Sequence, residues 1–152
     1  MNTSPLQDKR VILGVTGSIA SYKSLDLASK LVQSKAKVDV VLTNSATKFI
    51  SPIAFESITH TKVFTDIFGE VSSQYLNHIR LAESADIMII APATANTIAK
   101  LATGIADDAL GTTVLANKAP LVVAPAMDGG MFTHPATQEN ISKLISRGIF
   151  IA

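Results

Sequence analysis

Short, continuously apolar runs alternate with stretches of helical period along this 152-residue chain. That alternation constrains its fold more than any other feature. Arg10–Val15, Lys37–Leu42, Asp86–Ala91, Leu121–Ala124 and Ile149–Ala152 read as strands. Their apolar residues are contiguous rather than alternating, the pattern of a strand covered on both faces. Ile19–Ser34 reads as a helix whose buried stripe takes Ile19, Ala20, Leu27, Ala28 and Leu31. Ser45 is placed to cap a short helix, and Pro52 suits the first turn of another running to Thr59. Thr65–Asn77 is polar and irregular, and His78 opens a short helix to Ser84. Further helices are predicted from Thr94 to Leu101, Asp108 to Ala116 and Pro135 to Arg147, the last stopped by Gly148.

Strand–helix alternation with short connections predicts an α/β protein. Right-handed crossovers then give a doubly wound parallel sheet, a flavodoxin/Rossmann-like three-layer sandwich. One such domain is expected to span residues 1–152, because a single core usually serves about 100–200 residues. Hydrophobic residues make up 47% and charged residues 16%, too apolar a mixture for disorder. The apolar runs, such as Ile87–Ala91, fall far below the ~20 residues of a membrane span. The surplus apolar content points to self-association. Thirteen basic against twelve acidic residues create no field that would draw in nucleic acid. There is no cysteine, which excludes disulfides, thiolate metal sites and a cysteine nucleophile within these residues. Met1–Arg10 carries no apolar signal core, so the expected compartment is the cytoplasm.

In parallel sheets ligands sit beyond the carboxyl ends of the strands. The segments there are Gly14–Ala20, Thr43–Ser45, Pro92–Thr97 and Pro125–Met131. Gly17 permits a tight turn and Ser18 stands where a helix begins, which suits a phosphate; the other reading is a plain strand–helix turn. No Gly-Lys-Ser/Thr follows, and the second strand ends in Thr43 instead of the acid that holds a ribose. Thr43 and Ser45 offer hydroxyls, so a mononucleotide phosphate fits better than a dinucleotide. Thr94, Ala95, Asn96 and Thr97 either read the edge of a flat heterocycle or simply cap the next helix. Pro125-Ala126-Met127-Asp128-Gly129-Gly130-Met131 reads as a mobile or sharply turned loop whose methionines either pack on an aromatic ring or simply belong to the core. Of three histidines, His78 stands where a helix begins after the irregular middle and reads either as a proton-moving imidazole or as a structural one; His60 lies in a polar loop, and His134 caps the helix opened by Pro135. Their spacing suggests no metal site.

Gly14-Val-Thr-Gly-Ser-Ile-Ala20, His78-Ile79, Pro92-Ala-Thr-Ala-Asn-Thr97 and Pro125-Ala-Met-Asp-Gly-Gly-Met131 occur in one order. In that order the chain resembles the FMN-dependent cysteine decarboxylase flavoproteins from Lys9 to Ala152. The resemblance implies FMN as cofactor, with phosphate contacts near Gly17, Ser18 and Thr43. It implies flavin contacts from Thr94, Ala95, Asn96, Thr97 and Ala126. It implies trimers, or dodecamers built from trimers, with the cofactor between subunits. It makes His78 the catalytic proton acceptor and puts Asp128 and Met131 at the substrate.

The activity implied is that of a carbon–carbon lyase acting on 4′-phosphopantothenoylcysteine in coenzyme A biosynthesis. Oxidised FMN takes two electrons from the thiol carbon, and the resulting thioaldehyde is the electron sink for loss of carbon dioxide. Asp128 stands where the family has asparagine, and an ionised aspartate only accepts hydrogen bonds. The cysteine-bearing flap that the family places beyond the fifth strand is absent from these residues, so an impaired final reduction is expected. A flavin prenyltransferase-like enzyme and a non-catalytic FMN-binding regulatory subunit are the alternative readings.

Overall fold

A computed structural model describes residues 3–67 and 79–152. Five parallel strands form one sheet in the order β2-β1-β3-β4-β5. They are β1 (Arg10–Val15), β2 (Lys37–Leu42), β3 (Ile87–Ala93), β4 (Leu121–Pro125) and β5 (Phe150–Ile151). Between β1 and β3 lie α1 (Ser21–Gln33), α2 (Pro52–Thr59) and a helical stretch over residues 79–84, here α3. Then come α4 (Ala95–Thr103), α5 (Ala109–Ala116), α6 (Gly129–Thr133) and α7 (Pro135–Ser146). This is the doubly wound three-layer arrangement expected from the alternation. The chain order turns back at β1, which lies between β2 and β3, so the strand ends there frame a crevice.

β1 is buried along its whole length after Arg10, and its two faces feed separate cores. Val11, Leu13 and Val15 pack with Ala28 and Leu31 of α1 and Phe55 of α2. Ile12 packs on the other side with Met88 and Ile90 of β3, Ile98 of α4, Leu110 of α5 and Leu144 of α7. Fully burying a side chain of this size contributes about 1.5–3 kcal/mol, so the sheet is held from both sides. The outer edge of β2 is covered by the chain after α2. The Thr61 hydroxyl donates to the Val38 carbonyl at 3.1 Å, and the Phe64 amide donates to the Val40 carbonyl at 3.0 Å. No described helix is long and apolar enough to cross a membrane.

Two local expectations are corrected. The buried stripe of α1 is formed by Ser21, Ser24, Ala28 and Leu31, while Ile19 is 79% exposed ahead of the helix. The Ser21 hydroxyl donates to the Thr16 carbonyl at 2.8 Å and the Ser24 hydroxyl to the Ala91 carbonyl at 2.7 Å. Small hydroxyls therefore seat α1 close to the sheet, where apolar periodicity alone favoured larger residues. The glycine-rich stretch after β4 is also not a plain loop. Asp128 accepts from the Gly130 amide at 3.0 Å and starts the short helix α6. His134 caps α7 as expected, its Nδ1 accepting from the Ala136 amide at 3.1 Å. α7 ends at Ser146, and Gly148 two residues on has a φ of +81° that a larger residue would adopt only with strain.

Candidate functional site

The ends of β1, β2 and β3 converge on a cavity of about 390 Å³. Gly17, Thr43, Ser45, Thr94, Ala95, Asn96, Thr97 and Met131 line it, eight of the residues singled out in the sequence. Asn44, Lys100, Asp107 and Asp108 complete the wall. Gly17 is required by a close approach: a Cβ there would stand 2.4 Å from Ser45 Cβ and 3.0 Å from its carbonyl carbon. The first and second strand-end loops therefore touch backbone to side chain, and no substituent fits between them.

Each lining hydroxyl has a defined role in the local structure. Thr43 Oγ1 accepts from the Ala46 amide at 3.2 Å, turning the chain after β2. Thr94 caps α4, its Oγ1 accepting from the Thr97 amide at 3.2 Å and donating to Thr97 Oγ1 at 3.1 Å. That leaves the Thr97 hydroxyl hydrogen for an acceptor in the cavity. The cap and the ligand-facing reading of this segment therefore coexist. The side chains of Asn44, Ser45 and Asn96 make no hydrogen bond to any described residue. Thr16, which sequence reasoning passed over, ties the site together. Its buried Oγ1 donates to the Pro92 carbonyl at 2.6 Å and accepts from the Thr94 amide at 3.0 Å. The available signal was a hydroxyl ending an otherwise apolar strand.

The two carboxylates in the wall are already engaged. Lys100 Nζ lies 2.9 Å from Asp107 Oδ1. The hydrogen bond between them raises the Lys100 pKa and lowers that of Asp107. Asp108 Oδ1 accepts from the Gly111 amide at 2.7 Å and caps α5. An anion entering by the hydroxyls meets few free negative charges. The absence of an acid at the end of β2 and the Gly17 cradle suit a compact phosphate-bearing heterocycle.

Three predicted residues lie elsewhere among the described ones. Ser18 Oγ turns back to accept from the Ala20 amide at 3.2 Å and does not line this cavity. Ala126 lines a separate cavity of about 360 Å³ with Ala20, Lys23, Ser24 and Leu27 of the first helix and its approach. Asp128 is exposed at the start of α6, the helix that carries Met131 into the wall. His78 falls outside the described residues. His60 lies away from this cavity, beside Glu56, Thr61 and Lys62 at another surface cavity.

A family model described as Flavoprotein matches residues 1–152. The coenzyme A biosynthesis bifunctional protein CoaBC of Bacillus subtilis is 50% identical over 143 residues, covering 94% of this chain and 35% of that protein. Its counterpart in Vibrio cholerae is 41% identical over 143 residues, covering 94% of this chain and 36% of that protein. The chain thus spans about a third of the length of the curated relatives it matches. Among solved structures, the FMN-dependent cysteine decarboxylase SpaF is 34% identical with a TM-score of 0.87, over 96% of this chain and 84% of that one. A PPC decarboxylase C175S mutant complexed with pantothenoylaminoethenethiol is 29% identical with a TM-score of 0.79, over 96% of this chain and 82% of that one.

Proposed function

The chain belongs to the Flavoprotein family, and on that premise we propose that residues 1–152 form one FMN-binding domain that decarboxylates 4′-phosphopantothenoylcysteine. The observation that carries this reading is the convergence of three strand-end loops on one hydroxyl- and amide-lined cavity. The relatives named for coenzyme A biosynthesis and for cysteine decarboxylation support the reaction class.

Gly17, Thr43 and Ser45 hold the cofactor's phosphate at the ends of β1 and β2, with Ser18 shaping the turn beside them. Thr94, Ala95, Asn96 and Thr97 read the edge of the heterocycle, and Met131 packs on its face. Ala126, at the end of β4, lines the separate cavity beside α1 and takes no part in this contact. FMN, when bound, would supply a two-electron acceptor, which the ordinary amino-acid side chains do not provide. His78 takes the proton released as the substrate's thiol carbon is oxidised, and the substrate carboxyl then leaves as carbon dioxide. Asp128 and Met131 border the substrate from α6.

The active form is a homo-oligomer, a trimer or a dodecamer built from trimers, working in the cytoplasm. Its apolar surface supports self-association: Ile19 ahead of α1, Tyr22 on α1, Ile53 on α2 and Phe132 on α6 are exposed. The proposal is tested by adding FMN to purified protein and measuring bound flavin after gel filtration. One flavin per chain is expected, and a chain that retains none contradicts the reading.

A further inference from the structure

A second cavity, of about 390 Å³, lies under the outer edge of the sheet and shares no lining residue with the first. Its wall holds Arg10 at the start of β1, Asp39 on β2, Lys62 on the edge-covering segment, and Arg80 on α3. Thr61 and Ser84 add hydroxyls, and Phe64 and Leu81 an apolar lining. β1 and β2 run parallel with Arg10 beside Lys37 and Ile12 beside Asp39. The cavity therefore opens towards the amino ends of the strands, away from the crevice where the loops converge.

Three cations face one carboxylate here, and they differ in how they are held. Arg10 Nη1 donates to Ser84 Oγ at 3.0 Å, so its guanidinium is fixed in place. Its backbone amide is satisfied separately by Asp86 Oδ2 at 2.8 Å. The charge of Arg10 acts on Asp39 and offsets that carboxylate. Lys62 and Arg80 form no ion pair with any described residue. Two uncommitted cations and a pinned guanidinium thus face one concave space, while the Thr61 and Ser84 hydroxyls donate to the Val38 and Leu81 carbonyls at 3.1 and 3.2 Å. A guanidinium fork and an ammonium together match the geometry of a phosphate oxygen set.

We propose that this cavity is a second ligand site, which binds the phosphate group of a small phosphorylated molecule through Lys62, Arg80 and Arg10. It is independent of the flavin reading, because no residue is shared. The carboxylate of Asp39 makes the site selective: it disfavours crowded polyanions and leaves room for a single phosphate beside the two free cations.

The test is a calorimetric titration of FMN-saturated protein with inorganic phosphate, against chloride at equal ionic strength. If the protein retains no FMN, the same titration is run without it. Saturable binding of one phosphate per chain is expected, with amide resonance shifts at residues 61–64 and 80–84 and none at residues 94–97. The double variant Lys62→Gln/Arg80→Gln is expected to weaken binding at least tenfold with FMN retention unchanged. Asp39→Asn removes the opposing charge and is expected to tighten it several-fold. Binding that is unsaturable, that chloride reproduces, or that survives the double variant unchanged would overturn the proposal. So would shifts centred on residues 94–97.

Discussion

Thr16 Oγ1 accepts a hydrogen bond from the Thr94 amide at 3.0 Å, joining the ends of β1 and β3 across 78 positions of sequence. The same hydroxyl donates to the Pro92 carbonyl at 2.6 Å, so one buried side chain sets the distance between two walls of the cavity. Thr16→Val keeps the shape and removes both bonds, leaving the half-buried Thr94 amide without this partner while the Pro92 carbonyl keeps the Thr16 amide at 3.3 Å. A stability loss of about 1–3 kcal/mol is expected, the usual cost of an unsatisfied buried group. FMN affinity is expected to fall with it. Thr16→Ser restores both. Urea unfolding and fluorescence titration measure the two effects, and an unperturbed Thr16→Val protein would remove Thr16 from the account.

Gly17→Ala places a Cβ against Ser45, with Ser45 Cβ at 2.4 Å and its carbonyl carbon at 3.0 Å. Neither neighbour is the end of a flexible chain, so the loop after β1 must move away from the loop after β2. FMN retention is expected to drop at least tenfold while far-ultraviolet circular dichroism stays that of the parent. A variant that binds FMN as well as the parent shows that the close approach does not shape the cofactor site.

Asp128 is both the cap of α6 and the proposed neighbour of the substrate carboxylate. Asn caps as well as Asp, so Asp128→Asn should change stability by less than about 0.5 kcal/mol, whereas Asp128→Ala should cost about 1 kcal/mol. Asparagine can donate to a carboxylate and aspartate cannot, so KM for the carboxylated thiol should fall in Asp128→Asn. Equal KM values for Asp128→Asn and its parent place the substrate carboxylate elsewhere.

Burial holds the Asp39 carboxyl above its ordinary value of 3.8, with Arg10 pulling it partly back. The folded state therefore keeps this proton more tightly than the unfolded chain does. Ionised Asp39 subtracts stability in full above the raised pKa, and the penalty fades as pH falls through it and is gone below 3.8. Asp39→Asn should raise Tm at pH 7, with the gain shrinking steadily on acidification. A Tm gain that is independent of pH, or a loss at pH 7, contradicts the assignment.

Much of the fold was legible because its strands are buried on both faces. Arg10–Val15, Lys37–Leu42 and Pro52–Thr59 appear with the boundaries their composition implies. Strand-end chemistry also located most of the cavity wall, since parallel sheets gather those loops at one end. Contacts distant in sequence were not legible. Nothing local to Thr61–Phe64 announces that it covers the edge of β2. The glycine pair after Asp128 reads as a turn, yet the Asp128 cap is enough to start a helix. Ile19 carries an apolar side chain that periodicity assigns to the core, but the tight seat of Ser21 and Ser24 leaves it outside.

The proposed decarboxylation needs both a flavin in the strand-end cavity and an imidazole that moves a proton. It is tested most directly by measuring carbon dioxide released from 4′-phosphopantothenoylcysteine under anaerobic conditions, for the FMN-loaded protein and its His78→Asn variant. Release by the parent and none by a variant that still holds FMN is the predicted result. No release by the FMN-loaded parent, or equal release by both, would contradict it.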